Sequence, residues 1–210
     1  MWASAMAEAW PAAGGPPALL RWGLLLLGGV AVCGQSPDDR AVLADALRRL
    51  APEHCRAGGA WDCSRVGVCQ IPGVGCDPDN NVVHLDLSGK GLGGTIPGAL
   101  GQLHQLTQLD LHGNRLRGAL PAELGELSEL VRMDLRGNHL TGPVPEEYGR
   151  LARLRHLNLS YNQLNGVVPS SVRLLPVLNF LDLRGNRALT PPQLSPLVAS
   201  ALSPLFPVLH

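Results

Sequence analysis

The sequence has no net charge and few aromatic side chains. Its 210 residues include 17 Lys and Arg and 17 Asp and Glu, while Phe, Trp and Tyr make up 4%. A formal net charge of zero gives no global field that would recruit nucleic acid or acidic lipid. The shortage of aromatic residues predicts an aliphatic core. We therefore expect one domain with extensions and no nucleic-acid partner.

The motifs of common enzyme classes are also missing. No serine lies in a nucleophile elbow, and no glycine-rich loop of the phosphate-binding type occurs. Four histidines could act as bases, but their positions in the sequence predict that they lie on different surfaces: His104, His112, His139 and His156. We predict a protein that is not an enzyme and that needs no cofactor.

The sequence contains a compact apolar run near its N-terminus, but the run is short. Residues 24–32 are too few for a comfortable membrane span. Arg21 precedes the run and small residues follow it near Cys33, as in a secretory signal. We predict a cleaved signal peptide over residues 1–34 and a secreted, extracellular protein. The alternative is an uncleaved anchor that would hold the protein at the plasma membrane.

What the sequence has in abundance is a repeat of 24 residues. Leucines recur at this spacing, and four of them are followed three residues later by asparagine. The leucines are Leu87, Leu111, Leu135, Leu159 and Leu183, and the asparagines are Asn114, Asn138, Asn162 and Asn186. A fixed period of this size indicates a solenoid of stacked units, which is primarily a binding surface.

Each repeat combines a short strand with a conspicuous asparagine. Met133 and Leu135 lie two residues apart, which is the spacing of side chains on one face of a strand. Asn138 follows where the chain must bend, and its amide carries two donors and an acceptor. We predict that the four repeat asparagines form a hydrogen-bonded ladder. The first repeat has Lys90 at this position, and an atypical residue is expected in a terminal repeat.

A glycine, a spacer, an apolar residue and a proline recur in four of the repeats. They occupy residues 94–97, 118–121, 142–145 and 166–169. Together with the leucines and asparagines, over about residues 82–189, this pattern resembles the plant-type leucine-rich repeat. The resemblance implies an α/β repeat fold, a right-handed solenoid of about five repeats, and a role in binding proteins or peptides.

The segment before the repeats, residues 35–81, reads as an N-terminal cap. Ser36 is placed to cap a helix, Pro37 fits the first helical position, and two acids follow. Apolar residues then fall on one face of a helix predicted over residues 37–50: Val42, Leu43, Ala46, Leu47 and Leu50. The open end of a solenoid needs such a cover.

Four cysteines follow this helix: Cys55, Cys63, Cys69 and Cys76. An even number in a secreted chain predicts disulfides, and the absence of a Cys-x-x-Cys pair counts against zinc. The residues themselves leave three pairings open. The sequence around Cys63 and Cys76 resembles the cap that precedes plant-type repeats, which implies a bridge between those two and leaves Cys55 to Cys69.

Residues between the inward leucines should line the outer surface of the strands, called here the concave face. Three columns result: His84, Gln108, Arg132, His156 and Phe180; Asp86, Asp110, Asp134, Asn158 and Asp182; Ser88, His112, Arg136, Ser160 and Arg184. For the acidic column we favour a structural role, with hydrogen bonds to neighbouring strands. The alternatives are a stripe that binds a partner and a calcium site, and a flat ladder offers calcium's six to eight oxygens poorly. We predict no metal site.

The basic and aromatic residues of this face are the better candidates for binding. Arginine and aromatic side chains are favoured anchors at interfaces. The candidate binding residues are His112, Arg132, Arg136, Phe180 and Arg184. Asn158 begins the only Asn-x-Ser/Thr sequence, so a glycan there would obstruct part of the concave face.

We predict a non-catalytic extracellular module that binds a protein or peptide, with a receptor kinase as one partner to consider. The alternatives are a membrane-associated co-receptor ectodomain or a fragment of a receptor-like kinase, and an inhibitor of a secreted cell-wall-degrading hydrolase. The tail, residues 190–210, is apolar, rich in proline and free of Lys, Arg, Asp and Glu. A short helix over the last repeat, a removed lipid-anchor signal, and part of a longer receptor remain open for it.

Overall fold

The computed structural model describes residues 38–56, 59–64 and 67–190. The signal peptide predicted over residues 1–34 and the predicted tail beyond Thr190 lie outside these residues. Among the helices of the described part, none combines the length and apolar character needed to cross a membrane.

The N-terminal cap begins with helix α1, Asp39–Leu50. The five apolar residues predicted for its inner face are all buried. The helix begins two residues later than predicted, so the assignment of Ser36 as its cap and Pro37 as its first residue is wrong. Asp38 is the cap instead. Its carboxylate accepts a 3.0 Å hydrogen bond from the Arg40 N–H, one of the first-turn amides that lack a partner within the helix.

All four cap cysteines form disulfides, but not in the pairing that the resemblance implied. Cys55 is bonded to Cys63, and Cys69 to Cys76. The Trp61 N–H donates to the His54 carbonyl at 3.1 Å, which turns the chain back after α1 and brings Cys63 to Cys55. A turn between Cys69 and strand β1, Val74–Cys76, likewise brings the second pair together. Each bridge therefore closes a local loop.

The main sheet has one parallel strand from each of five repeats. β1 pairs antiparallel with the first of these strands, and the repeat strands then follow one another across the sheet in chain order. Residues 24 apart in sequence lie opposite each other, as His84, Gln108 and Arg132 do. The repeat strands are β2 Val82–Asp86, β3 Gln108–Asp110, β5 Arg132–Asp134, β7 His156–Asn158 and β9 Phe180–Asp182. This is the predicted leucine-rich repeat solenoid.

A second parallel sheet follows the repeat asparagines and was not predicted as strands. Its four strands also follow one another in chain order. Its strands are β4 Arg117–Ala119, β6 His139–Gly142, β8 Gln163–Val167 and β10 Ala188–Thr190. The helical side of the repeats consists of the 3-10 helices Gly98–Gln102, Ala122–Glu126 and Glu146–Arg150 and the α-helical turn α2, Ser170–Arg173.

Aliphatic side chains from all three sides fill the core. Met133 and Leu135, predicted to point inward, have no solvent exposure. Tyr148 is also fully buried, at the position that Leu100 and Leu124 occupy in earlier repeats. Its hydroxyl has no hydrogen-bond partner among the described residues. The core is therefore mainly apolar, with this hydroxyl and the row of asparagines inside it and further buried polar side chains, such as Asp134, at the concave face.

The asparagines connect each repeat to the one before it. The Asn138 Nδ2 donates to the carbonyls of Leu111 and Leu135, both at 3.0 Å, and its Oδ1 accepts from the Leu116 N–H at 3.1 Å. Leu111 and Leu116 belong to the preceding repeat. The same bonds recur at the other three repeat asparagines, Asn114, Asn162 and Asn186.

Replacing Asn138 by alanine tests this ladder. We expect Asn138→Ala to lower the free energy of unfolding by roughly 1–3 kcal/mol, because two carbonyls and one N–H lose a buried partner. Chemical denaturation of both proteins gives the difference. Asn165→Ala is the matched control, because Asn165 is exposed. Equal losses in the two variants would contradict a special role for the ladder.

The buried hydroxyl of Tyr148 gives a second test. Because this group has no protein partner to lose, Tyr148→Phe should leave the free energy of unfolding unchanged or raise it by about 1 kcal/mol. Thermal and chemical denaturation measure it, with Tyr161→Phe on the surface as the control. A clear loss of stability in Tyr148→Phe alone would mean that the hydroxyl is hydrogen-bonded, for example to a buried water.

Candidate functional site

The concave face brings all five candidate binding residues onto one surface. Strand register aligns Arg132 with His156 and His156 with Phe180. His112, Arg136 and Arg184 lie just beyond the ends of β3, β5 and β9, in the adjacent column. All five are partly or well exposed. The three C-terminal repeats contribute four of them.

The acidic column ends the strands. Each member accepts a hydrogen bond from the backbone N–H two residues further along, at 3.0–3.2 Å. These bonds lie within one repeat, so the expected bonds to neighbouring strands are replaced by a local turn. Asp134 has no exposure and Asp182 is only 6% exposed. The column therefore has the structural role, and it does not offer a continuous acidic stripe to a partner.

One acidic group has the composition of a metal site but the wrong surroundings. Oxygens of Asp110 and Asp134 and a ring nitrogen of His112 lie within 4.8 Å of one another. His112 Nδ1 is already 2.7 Å from the Asp110 carboxylate. The guanidinium groups of Arg132 and Arg136 lie 3.3 and 3.9 Å from the Asp134 carboxylate. Two positive groups oppose a further cation here.

Asn158, the predicted glycosylation site, is buried. It is 3% exposed, and its Oδ1 accepts from both the N–H and the hydroxyl of Ser160. The expectation that its side chain points freely outward is wrong, because the side chain closes a turn as the aspartates do in the other repeats. Glycosylation of Asn158 stays a prediction, and this burial counts against it.

The arginines of the concave face differ in how closely their guanidinium groups approach a carboxylate. Two bonds of 3.0 and 2.7 Å join Arg184 to the Asp182 carboxylate, and these bonds hold the pKa of Asp182 below its usual value. Arg132 donates to Asp134 at 3.3 Å. Arg136 lies further from the same carboxylate, at 3.9 Å. Its guanidinium makes no hydrogen bond with the part of the chain that the structure describes.

An aromatic pair lies beside these charges. The rings of His156 and Phe180 are stacked, with centroids 4.1 Å apart and planes 1° from parallel. Phe180 remains 40% exposed, although it is large and apolar. Burial lowers the pKa of His156, and the nearby Arg132 charge lowers it further. The imidazole is therefore largely neutral at pH 7, and the stacked pair exposes an apolar ring beside the Arg132 charge.

An open cavity of about 390 Å³ lies at the end of the strands, lined by side chains that include His112, Arg136, Ser160, Tyr161 and Arg184. Sequence reasoning missed Tyr161. It has a φ of +55°, and it stands where the other repeats have Gly89, Gly113, Gly137 and Gly185 with φ between +62° and +75°. The signal was present in the sequence as one aromatic residue in a column of glycines.

Comparison with known proteins identifies the family. The profile described as leucine rich repeat matches residues 80–140 and 128–187, about half of the chain. The chain belongs to the leucine-rich repeat family. No curated protein sequence matches this leucine-rich repeat protein significantly.

Three solved structures show the breadth of its relatives. The BIR3–SERK2 complex from Arabidopsis thaliana matches with 34% identity over 73% of this chain and 84% of that chain, at a TM-score of 0.65. A plant ice-binding protein matches with 29% identity over 72% and 49%, at 0.63. The ectodomain of the Arabidopsis thaliana receptor kinase SOBIR1 matches with 26% identity over 75% and 97%, at 0.55. The protein thus resembles plant receptor-kinase ectodomains. Because one fold supports these different roles, function has to be argued from the site.

The half-buried imidazole of His156 predicts a pH dependence of stability. The folded state holds His156 neutral, whereas the unfolded chain takes up a proton below about pH 6.5. The free energy of unfolding should therefore fall as the pH drops from 7 to 5. His156→Gln should fall less over the same range, as measured by denaturation at each pH. Asp86 and Asp182, whose pKa values are lowered by hydrogen bonds, act only at more acidic pH. Parallel curves for the two proteins would contradict the prediction.

Proposed function

We propose that this leucine-rich repeat protein is an extracellular, non-catalytic module that binds a protein or peptide on the concave face of its three C-terminal repeats. The observation that carries the proposal is the combination of Arg132, Arg136, Arg184 and the exposed, stacked Phe180 on one surface. Arginine and aromatic residues are enriched among the few residues that dominate the binding energy of protein interfaces. Two disulfides in the cap support an oxidising, extracellular environment.

The described residues of the concave face give physical reasons for proposing a non-catalytic role. The concave carboxylates are held in turns or matched by arginines, and no pair of them is placed to exchange a proton with a substrate. The one histidine with a lowered pKa, His156, is stacked on Phe180. Its free nitrogen is buried rather than directed toward the cavity. The surface therefore suits recognition better than catalysis.

Charge reversal at Arg136 tests where the ligand binds. Arg136→Glu should weaken binding by roughly tenfold or more, because an exposed cation at the centre of the face becomes an anion. Binding is measured by surface plasmon resonance against a panel of extracellular receptor ectodomains and secreted proteins from the same organism. Arg150→Glu is the matched control, because Arg150 is exposed on a 3-10 helix, outside the strands of the concave face.

Both variants should keep the melting temperature of the parent within a few degrees, since neither residue is buried. If Arg136→Glu binds as tightly as the parent while Arg150→Glu does not, the ligand binds the helical side instead. If the parent binds none of these proteins, the proposal fails.

The similarity to the BIR3–SERK2 complex favours a second reading, that of a co-receptor ectodomain that acts at the membrane through a partner. The intact mass of the protein from the medium and from the membranes of a secreting cell separates the two readings. A species in the medium that starts near residue 35 supports a free binder. A species found only in membranes supports the co-receptor, and added hexose mass would place a glycan at Asn158.

A further inference from the structure

The segment that leads into the last strand of the main sheet, β9, exposes apolar side chains where the earlier repeats have polar ones. Three of its residues are 66%, 41% and 40% exposed: Leu174, Val177 and Phe180. The same positions of the three preceding repeats hold polar or charged residues: Gln102, Glu126 and Arg150; Gln105, Glu129 and Arg153; Gln108, Arg132 and His156. We call the three exposed residues the apolar rim. Neighbouring exposed apolar side chains of this kind mark a surface that another group covers.

The apolar rim adjoins the open end of the solenoid. Within the described residues, β9 has a neighbouring strand on one side only. The inward leucines of the last repeat, Leu178, Leu181 and Leu183, are half-buried. Their counterparts one repeat earlier have no solvent exposure: Leu154, Leu157 and Leu159. The apolar surface of the rim is therefore continuous with a partly exposed edge of the core.

The ring of Phe180 shows the direction in which this surface faces. One face of the ring is stacked on His156, which lies opposite it in the preceding strand β7. The other face is therefore directed past β9, toward the place where a further repeat would stand. A group that covers this face has to lie over the end of the solenoid.

The chain itself supplies an apolar segment at this end. Residues 191–210 follow directly on the last strand of the second sheet, β10, and contain no Lys, Arg, Asp or Glu. Some of their apolar residues recur with the spacing of one helix face: Leu194, Leu197, Val198, Ala201 and Leu202. Ser195 and Pro196 are residue types preferred at the start of a helix, and Pro204 ends the pattern.

The same segment also keeps part of the repeat register. Leu202 and Leu205 follow 24 residues after Leu178 and Leu181, which is the period of the solenoid. An apolar helix face and two leucines in register are the features that a cover for the last repeat needs.

We propose that residues 191–210 fold back over the open end of the solenoid and cover the apolar rim, with the outer face of the Phe180 ring against them. This inference goes beyond the proposed function and does not depend on it. The tail packs on the side of Phe180 that points past β9, whereas a ligand on the concave face approaches from the side of Arg136 and Arg184.

The charges of the last repeat favour the tail over a second copy of the chain as the occupant. Residues 170–190 carry Arg173, Arg184 and Arg187 but a single carboxylate, that of Asp182. Two copies that met end to end would bring like charges together, and an uncharged tail does not. The tail is also tethered at Thr190, which gives it an effective concentration in the millimolar range. A second copy would have to offset its lost translational and rotational freedom as well.

The two phenylalanines of the chain lie on the two sides of the proposed contact. Phe180 belongs to the apolar rim and Phe206 to the tail. Incorporation of 4-fluorophenylalanine gives each of them one ¹⁹F resonance, and Phe206→Leu assigns the pair. The change in chemical shift between H2O and D2O measures the exposure of each ring. The samples are the full chain, a chain that ends at Thr190, and a synthetic peptide of residues 191–210.

We expect the solvent-isotope shift of Phe180 to be larger in the chain that ends at Thr190 than in the full chain, because the tail no longer covers the ring. The shift of Phe206 should be smaller in the full chain than in the free peptide. Equal values for Phe180 in the two chains, or for Phe206 in the full chain and the peptide, would overturn the inference. A secreted protein whose intact mass lacks residues 191–210 would also overturn it.

Variants of the apolar rim test the contact without shortening the chain. Leu174→Gln combined with Val177→Gln gives the rim the residues that an earlier repeat has at these positions, Gln102 and Gln105. In the full chain, these substitutions should raise the solvent-isotope shift of Phe206 toward that of the free peptide. The matched control is a pair of substitutions at the same two positions one repeat earlier, both exposed: Arg150→Gln with Arg153→Gln. An equal response from the rim pair and the control pair would contradict the proposed contact.

Thermal denaturation separates loss of the tail contact from damage to the last repeat. The rim pair should lower the melting temperature of the full chain by roughly 3–10 °C, because an apolar contact is lost. The same pair should leave the melting temperature of the chain that ends at Thr190 unchanged, because the tail that it contacts is gone. Equal losses in the two chains would assign the rim to the stability of the last repeat and would overturn the inference.

Sedimentation velocity separates the tail from a second copy as the occupant. We expect the full chain to be monomeric, with a solvent-isotope shift of Phe180 that does not change with protein concentration. A dimer that dissociates when the rim pair is introduced would overturn the inference. If the tail contact is observed but no ligand binds the concave face, only the proposed function fails. If a ligand binds there and Phe180 is equally exposed with and without the tail, only this inference fails.

Discussion

The asparagine ladder is the constraint on which the rest of this structure depends. The strands of the main sheet are only three to five residues long, too short to fix their own register firmly. Each asparagine bonds to carbonyls of two successive repeats and to an N–H of the preceding one. A slip of one residue would break all these bonds and turn the inward leucines to the surface. The ladder therefore places every side chain of the concave face.

Because the turns are nearly identical, the function of the surface lies in where the repeats differ. Five residues of the acidic column make the same local bond, whether the residue is Asp or Asn. Those positions carry little information about a ligand. The neighbouring columns change from one repeat to the next, from His112 to Arg136 to Ser160, and Tyr161 interrupts a column of glycines. The candidate site therefore lies at the positions where the repeats differ in sequence while their backbone stays the same.

The sequence predicted what its period determines and failed where the conformation of individual local turns decides. The five repeats and the inward leucines follow from spacing alone, since each recurs many times. The disulfide pairing depends on how the chain turns after α1, through the Trp61 and His54 backbone bond, which has no sequence signature. Asn158 was expected to point outward because side chains alternate between the two faces of a strand, and this rule takes no account of the turn that follows. There its side chain takes the local bonds that make it buried. The second sheet was not predicted because its strands contain positive-φ glycines such as Gly118 and Gly142, and such glycines weaken the sequence pattern of a strand.

The balance of charges on the concave face favours selective binding over non-specific binding of acidic surfaces. Three arginines next to one another would attract any acidic surface over a distance of about one Debye length. Here the carboxylates of Asp182 and Asp134 lie 2.7–3.9 Å from the three guanidinium groups, so the long-range field is small. Arg136 makes no hydrogen bond with the described residues, so its N–H donors are available to a ligand that reaches into the cavity lined by Tyr161 and His112. A partner must then match the shape of the face before it gains the charge interaction, which is how a small solenoid of neutral net charge can discriminate among ligands.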